Sequence, residues 1–175
     1  MNECPHCGHQ NIEGVDVCEE CQQPLGDLSL PTPATAVEKG LLRDRVSVLC
    51  SRSPLVMPSD ASVGDVLRAL VERAVGAVVI VEDGKVAGIF SEHDALMRLG
   101  VEAQKMAQRP IREFMTPNPQ TLLETAKIAF AVQRMDQGGY RHIPIVDADG
   151  NPIAIVSVRD ILRYLTEKIL VADAV

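Results

Sequence analysis

Two sets of side chains in this chain are arranged as reactive groups usually are. The first is four thiols in "CPHCGHQNIEGVDVCEEC": Cys4, Cys7, Cys18 and Cys21, two C-x2-C pairs separated by ten residues. Two residues between thiols let one turn of backbone aim both sulfurs at a single ion, and a second knuckle completes a tetrahedral set. Gly8 suits the tight first knuckle because glycine tolerates positive φ. The alternative is a pair of disulfides in a small secreted module. The sequence opens without a basic start and an apolar stretch, which favours the metal. Four thiolates fill a metal's shell, so His6 and His9 are expected at the surface. Cys50, far from the cluster in an apolar stretch, is expected to be an inert buried thiol.

The second set is a phrase written twice. "GIFSEHDALMRL" (88–99) returns as "AIVSVRDILRYL" (154–165). Each is an apolar strand, then Ser, two variable residues, Asp and an amphipathic tail. Ser91 with Asp94, and Ser157 with Asp160, therefore stand at strand-to-helix junctions. Taken alone, each phrase is what an N-terminal capping box looks like.

The elements that must position these phrases repeat too. Ser91 and Ser157, Asp94 and Asp160, and Gly84 and Gly150 are all 66 residues apart. Each copy reads helix, strand, turn, strand, helix. In copy one, Ser62 and Asp65 form a further S-x-x-D cap before an apolar stripe at Val63, Val66, Leu67 and Leu70. "AVVIV" and "IPIV" are short strands rich in β-branched residues. The Asp-Gly pairs at 83–84 and 149–150 are turn signals, and "VAGIF" and "IAIV" are the return strands. "VSVLCS" and "EFMTP" are expected as a preceding strand in each copy. Before the repeat, Pro31 and Pro33 flank Thr32 in an extended spacer. "TAVEKGLLRDR" predicts a short helix weakened by Gly40.

Composition narrows the function. With 3% aromatics and no Trp, the core must be built from Val, Ile, Leu and Ala. The net charge of −7 is concentrated: residues 1–30 hold six acidic residues and no Lys or Arg. An acidic segment repels phosphate backbones, which argues against a nucleic-acid partner, although a basic face elsewhere would reopen that reading. The longest apolar run, "AVGAVVIV", is far short of the roughly 20 residues of a membrane helix. A cytoplasmic protein is expected. No activated nucleophile, open metal site or phosphate-cradling glycine loop is visible, so an enzyme is the least expected class.

Two resemblances sharpen these expectations. The cysteine segment resembles the short zinc ribbons of many bacterial and archaeal proteins, down to Asn11 after the first knuckle and Leu25 after the second. It departs from them at Gln22, where a second glycine is common. A rubredoxin-like iron site is the rival, but its longer spacer and aromatic surroundings are absent. The repeat resembles a cystathionine β-synthase (CBS) domain pair, or Bateman module, through "MTP" at 115–117, "YRHIPIVD" at 140–147 and both Ser-x-x-Asp phrases.

This resemblance implies an α+β fold of two tandem β-α-β-β-α motifs packed as a pseudo-twofold pair behind a small zinc ribbon. The implied parts are a ribbon (1–26), a linker with a short helix (27–44), motif one (45–105) and motif two (106–175). It implies clefts for an adenosine nucleotide or S-adenosyl compound, a homodimer, and a regulated protein elsewhere. The family's ribose contacts carry over to Ser157 with Asp160 and to Ser91 with Asp94; a carboxylate can accept from both hydroxyls of a cis-diol. Arg141, His142, Ile143, Pro144 and Arg159 would complete the second position, with the basic groups on phosphate at a helix N-terminus. Gly76, Ala77, Val78 and His93 would line the first. Val75 and Gly76 stand opposite Arg141 and His142 at the 66-residue offset. Copy one thus lacks phosphate donors, and Glu92 adds repulsion. The second position is expected to prefer a phosphorylated adenosine and the first to bind weakly, bind a less charged ligand or stay empty. Ala154, opposite Gly88, adds only a methyl and should keep adenine access. The rival functions are an assembly scaffold that binds no nucleotide and a zinc-ribbon nucleic-acid binder.

Overall fold

The computed structural model describes residues 2–4, 6–12, 15–23, 25, 35–50 and 53–172. The Pro31–Pro33 spacer lies outside the described residues. The chain divides into two compact units. Unit 1 is Met1–Ser51, Leu122–Ile143 and Val156–Val175; unit 2 is Arg52–Thr121 and Pro144–Ile155.

In unit 1 the cysteine segment begins with β1 (Asn2–Glu3) antiparallel to β2 (Gln10–Asn11). Its two knuckles are built alike. Gly8 N–H donates to the Cys4 carbonyl (2.8 Å) and Gln22 N–H to the Cys18 carbonyl (2.9 Å). Cys4 N–H donates to the His9 carbonyl (2.7 Å) and Cys18 N–H to the Gln23 carbonyl (2.8 Å). Asn11, fully buried, ties the halves together: its Oδ1 accepts from Glu19 N–H (3.0 Å) and its Nδ2 donates to the His9 carbonyl (3.0 Å). Leu25 packs with Cys4 and Cys18 as the apolar floor.

The predicted linker helix is present as α1 (Ala36–Arg43), with a complete Thr35–Glu38 capping box. It lies against copy two, and Gly40 is why it can. A Cβ there would stand 2.2 Å from the Tyr164 hydroxyl. That hydroxyl donates to Asp44 Oδ2 (2.6 Å), and Lys168 Nζ is 3.2 Å from the same oxygen. These contacts hold the Asp44 carboxyl below its usual range, the tyrosine bond contributing most. A depressed carboxylate stabilises the fold above its unfolded pKa, near 4, and the stabilisation is lost as pH falls through the lower folded value. Tyr164→Phe is therefore expected to lower the urea midpoint at pH 6–7, and the difference from wild type should shrink below about pH 4.

"VSVLCS" does not form a strand. Val46–Leu49 is a single 3-10 turn, because Val46 N–H bonds the Ala126 carbonyl (2.8 Å) and Cys50 N–H turns back to Ser47. Cys50 closes that turn, its thiol donating to the Val46 carbonyl (3.3 Å). It is half-buried rather than fully buried, and burial followed by the charges of Asp160 and Glu124 pushes it up to about 11. It is a thiol at neutral pH, as an inert residue should be.

Copy one contributes β3 (Val56–Pro58), α2 (Val63–Arg73), β4 (Ala77–Glu82) and β5 (Lys85–Ser91) to unit 2. Ser62 caps α2 by accepting from Asp65 N–H (3.1 Å), while Asp65 also pairs with Arg68. The predicted stripe faces inward: Val63, Val66 and Leu70 are buried, with Leu67 beside them, against Val78, Ile80, Phe90, Leu99 and Ile111. β3 runs parallel to β4, and β4 antiparallel to β5 through a two-residue turn with positive φ at Asp83 (49°) and Gly84 (79°). Mirror-type turns of this kind match the twist of the flanking strands.

The segment after Ser91 is not one regular helix. Glu92–Asp94 (α3) passes into a π turn over Ala95–Leu99, a 3-10 turn over Gly100–Glu102 and α4 (Ala103–Met106).

In copy two, "EFMTP" is a strand only at its end. Ile111–Glu113 is a 3-10 turn, and β6 (Thr116–Pro117) then joins the copy-one sheet, pairing with β5 at Gly88 and Ile89. The sheet order is β3-β4-β5-β6. A second sheet orders β7 (Leu122–Leu123), β8 (His142–Val146) and β9 (Pro152–Ser157), with α5 (Ile128–Gly138) before β8 and α6 (Val158–Ala172) after β9. The β8–β9 connection is longer than the β4–β5 turn. Asp147–Gly150 forms a loop closed by Gly150 N–H on the Asp147 carbonyl (3.0 Å), with Gly150 at φ 81°. Copy two thus carries one extra residue in its turn.

The two turns meet within unit 2. Lys85 Nζ donates to Asn151 Oδ1 (2.8 Å) and to the Asp149 carbonyl. Lys85 and Asn151 are each other's counterparts in the repeat.

Candidate functional site

The four cysteines converge. One sulfur from each lies within 4.8 Å of the others, with Cys4–Cys21 at 3.5 Å and Cys7–Cys18 at 3.6 Å. A tetrahedron of Zn–S bonds near 2.3 Å has sulfurs about 3.8 Å apart, so the set fits a tetrathiolate ion. Burial and then neighbouring sulfurs push the Cys21 thiol up, the expected response of crowded thiols that a cation would reverse. Four thiolates around one ion would leave no position open for substrate, the pattern of structural rather than catalytic sites.

Gln22 occupies the departure from the ribbon pattern and adopts φ 56°, the left-handed conformation glycine would take freely. Gln22→Gly is expected to relieve about 1 kcal/mol of strain, a roughly fivefold gain in metal retention. Competition with a chromogenic chelator reads it directly.

His6 is not at the surface. It is 7% exposed, its ring stands edge-on to Phe130 of α5 at 5.8 Å, and its carbonyl accepts from Thr125 Oγ1 (3.5 Å). Its Nδ1 is buried with no hydrogen-bond partner. The ribbon therefore packs on the chain's own second copy. The sequence signal was only that His6 sits between two ligands, where the knuckle must turn one side chain away from the ion. His9 is half-buried.

Both Ser-x-x-Asp phrases are complete capping boxes. Asp94 Oδ2 accepts from Ser91 N–H (3.0 Å) and Oγ (2.6 Å), while Asp94 N–H bonds Ser91 Oγ (3.3 Å). Asp160 Oδ2 accepts from Ser157 N–H (2.8 Å) and Oγ (2.6 Å), while Asp160 N–H reaches Ser157 Oγ (3.4 Å). The second carboxylate oxygen differs. Asp94 Oδ1 takes Arg98, four residues on; Asp160 Oδ1 takes Arg163, three residues on.

The strand before each phrase is brought against it. Glu92 N–H bonds the Gly76 carbonyl (3.0 Å), and Val158 N–H bonds the Arg141 carbonyl (3.1 Å). These matching bonds correct the repeat register. Gly76 and Ala77, not Val75 and Gly76, are the counterparts of Arg141 and His142, because the longer copy-two turn takes up one residue. Copy one still offers no basic group there. Ala77 and Val78 are buried and pair with Ser91 and Phe90, leaving His93 exposed beside Asp94. In copy two, Arg141 and Arg159 are exposed at the β9–α6 junction, His142 is half-buried, and Ile143 and Pro144 are buried.

A family model, the CBS domain, matches residues 45–100 and again 111–167. The chain belongs to the CBS-domain family. Among curated relatives, the CBS domain-containing protein CBSCBSPB1 of Arabidopsis thaliana is 36% identical over 104 residues, 59% of this chain and 19% of that protein. The chain thus spans about a fifth of that relative's length. Among solved structures, the CBS domain protein PAE2072 of Pyrobaculum aerophilum, complexed with AMP, is similar at TM-score 0.61 and 27% identity, covering 70% of this chain and 98% of that one. The CBS domain pair of protein MJ0100, in complex with 5-methylthioadenosine and S-adenosyl-L-methionine, is similar at TM-score 0.62 and 25% identity, covering 71% and 97%.

The two CBS motifs carry three features that the sequence reading passed over: Arg98, Arg163 and Met115. Arg98 and Arg163 stand at helical spacing from their aspartates, a legible pairing signal. Met115 is different. Its sulfur would lie 2.2 Å from a Cβ on Gly88, so the methionine of "MTP" fills the space that glycine leaves on β5. Nothing in the local pattern announces that contact. A hollow of about 330 Å³ in unit 2 is lined by Lys85, Asn118, Thr121 and Gly150, at the end of β5 opposite Ser91. Among the described residues, no helix is long and apolar enough to cross a membrane.

Proposed function

We propose that this chain is a regulatory, non-catalytic CBS module that binds an adenosine nucleotide or S-adenosyl compound through Ser157 and Asp160. The observation that carries this reading is the β9–α6 junction. A capped carboxylate there has Arg141, His142 and Arg159 close in sequence and space, at the N-terminus of a long helix. Arginine forks and helix N-termini both suit phosphate, and the carboxylate suits a ribose diol. The complexes of PAE2072 with AMP and of MJ0100 with S-adenosyl-L-methionine support the ligand class. Ile143 and Pro144 would wall the second position; Ser91, Asp94, Gly76, Ala77, Val78 and His93 form the weaker first.

The cysteine centre holds zinc in this reading; the ribbon (1–26) braces the second motif through His6 and Phe130, and the helix of the linker (27–44) through Asp44 and Tyr164. Exposed apolar residues on the two phrase-bearing segments, Leu96, Met97 and Val101 in motif one and Leu162 and Ile169 in motif two, support a homodimer. The module works in the cytoplasm in this reading, and the activity it regulates lies outside the two CBS motifs. Binding would shift the balance between two arrangements of the module.

Calorimetric titration of the full chain with AMP, ADP, ATP and S-adenosylmethionine tests this. Micromolar binding of one of them is expected, and no binding of any overturns the sensor. A second reading is an assembly scaffold, favoured by one observation: both aspartates already cap their helices through Oδ2 and pair an arginine through Oδ1. It predicts no stabilisation by any of the four ligands.

A further inference from the structure

Asp94 and Asp160 are held alike by their serines and differently by arginine. Arg98 is anchored well beyond its aspartate. Its Nη1 donates to the carbonyls of Phe114 (2.7 Å) and Met115 (2.6 Å), and its Nη2 to Thr116 Oγ1 (2.8 Å). Its Nε stands 3.3 Å from Asp94 Oδ1. One guanidinium thus joins the aspartate to three consecutive residues leading into and starting β6. That connection is reinforced on the sheet side, where β6 pairs with β5 and Met115 fills the space over Gly88.

Copy two has nothing comparable. The counterpart of Arg98 is Tyr164, whose hydroxyl is spent on Asp44. Arg163 pairs with Asp160 from a side chain 55% exposed, and it bonds no other group among the described residues. It can swing into water at little cost.

We propose that Arg98 is a built-in occupant of the first Ser-x-x-Asp position, leaving the chain one exchangeable nucleotide position, at Asp160. The inference rests on the nucleotide-binding reading above and adds to it which of the two positions is open and why. A ribose diol at Asp94 must take Oδ1 from a guanidinium that also holds Phe114, Met115 and Thr116. At roughly fivefold per net hydrogen bond, displacing it costs such a ligand on the order of 100-fold in affinity. The π turn over Ala95–Leu99 carries Arg98 to these partners, whereas α6 runs on as a regular helix.

Stoichiometry of binding of AMP, and of adenosine because copy one lacks phosphate donors, to this chain by equilibrium dialysis tests the proposal. Wild type is expected to hold one AMP per chain, lost in Asp160→Ala. Arg98→Met keeps the aliphatic stem and removes the guanidinium, and it is expected to hold one adenosine more per chain than wild type. The added position should disappear in Arg98→Met/Asp94→Ala. Arg98→Gln serves as a second variant, and a cooperative thermal transition shows that each is folded. Two AMP per wild-type chain, or a folded Arg98→Met and Arg98→Gln that hold no more adenosine than wild type, overturns the plug while the sensor reading survives. A wild type that binds none of AMP, ADP, ATP and S-adenosylmethionine sinks the sensor reading; the plug then stands only if Arg98→Met acquires a position for adenosine that Asp94→Ala removes.

Discussion

Asp160→Ala is expected to weaken nucleotide binding by about 10²- to 10⁴-fold. A ribose diol would give the carboxylate two charge-assisted hydrogen bonds, each worth roughly 1.5–3 kcal/mol net. At 1.4 kcal/mol per factor of ten, their loss gives the stated range. The same substitution removes the return half of the α6 capping box, in which Asp160 Oδ2 accepts from Ser157 N–H, and this costs about 1 kcal/mol of stability. The two effects must be separated, and the chain supplies the control. Ser62 and Asp65 form a third Ser-x-x-Asp cap with the same serine-to-aspartate bond (2.7 Å) and no nucleotide role. Asp65→Ala should lower the thermal midpoint modestly and leave the titration unchanged. Should Asp160→Ala bind as wild type does, Ser157 and Asp160 are caps and nothing more.

The second large effect concerns the metal. Among the described residues, the core of the cysteine segment is Cys4, Cys18 and Leu25, with Cys7, Val15 and Cys21 at its edge. So few apolar groups cannot offset the chain entropy of ordering the segment, and domains this small fold on their metal. Chelation, or Cys18→Ser, is expected to remove hydrogen-exchange protection across 2–25. The amides of α2, β4 and β5 should keep theirs, since their core in unit 2 contains no ribbon residue. Protection in α5 should fall modestly, because Phe130 loses its edge-on contact with His6. Protection of 2–25 that survives stripping would mean the thiols are not what folds the segment. Elemental analysis of the purified chain distinguishes zinc from iron, for which the same four thiolates are suitable ligands.

The local sequence determined a good deal of this protein. Cysteine spacing alone named the four thiols that converge, because two residues between thiols leave few geometries besides a knuckle. The apolar stripe of α2, the strands around Val78 and Ile143, the Asp83–Gly84 turn and the Ser-x-x-Asp caps were legible for the same reason. Each depends on bonds between residues close together in the chain. The caps were legible as caps; the resemblance added to them the expectation of a ribose role.

What failed to be legible depended on distant partners. "VSVLCS" has the composition of a strand and becomes a 3-10 turn because its first amide is taken by Ala126, eighty residues away. His6 looked like a surface residue until α5 presented Phe130 to it. The register of the repeat slipped by one because Asp147–Gly150 closes as a longer loop than its counterpart, and an offset counted from the serines cannot see that. Arg98 is the clearest case. Its spacing from Asp94 is local, but the carbonyls of Phe114 and Met115 reach it only once β6 has paired with β5. Hydrogen bonds between near neighbours can be read along the chain, whereas a group's last partners are chosen by the packing that brings remote backbone to it.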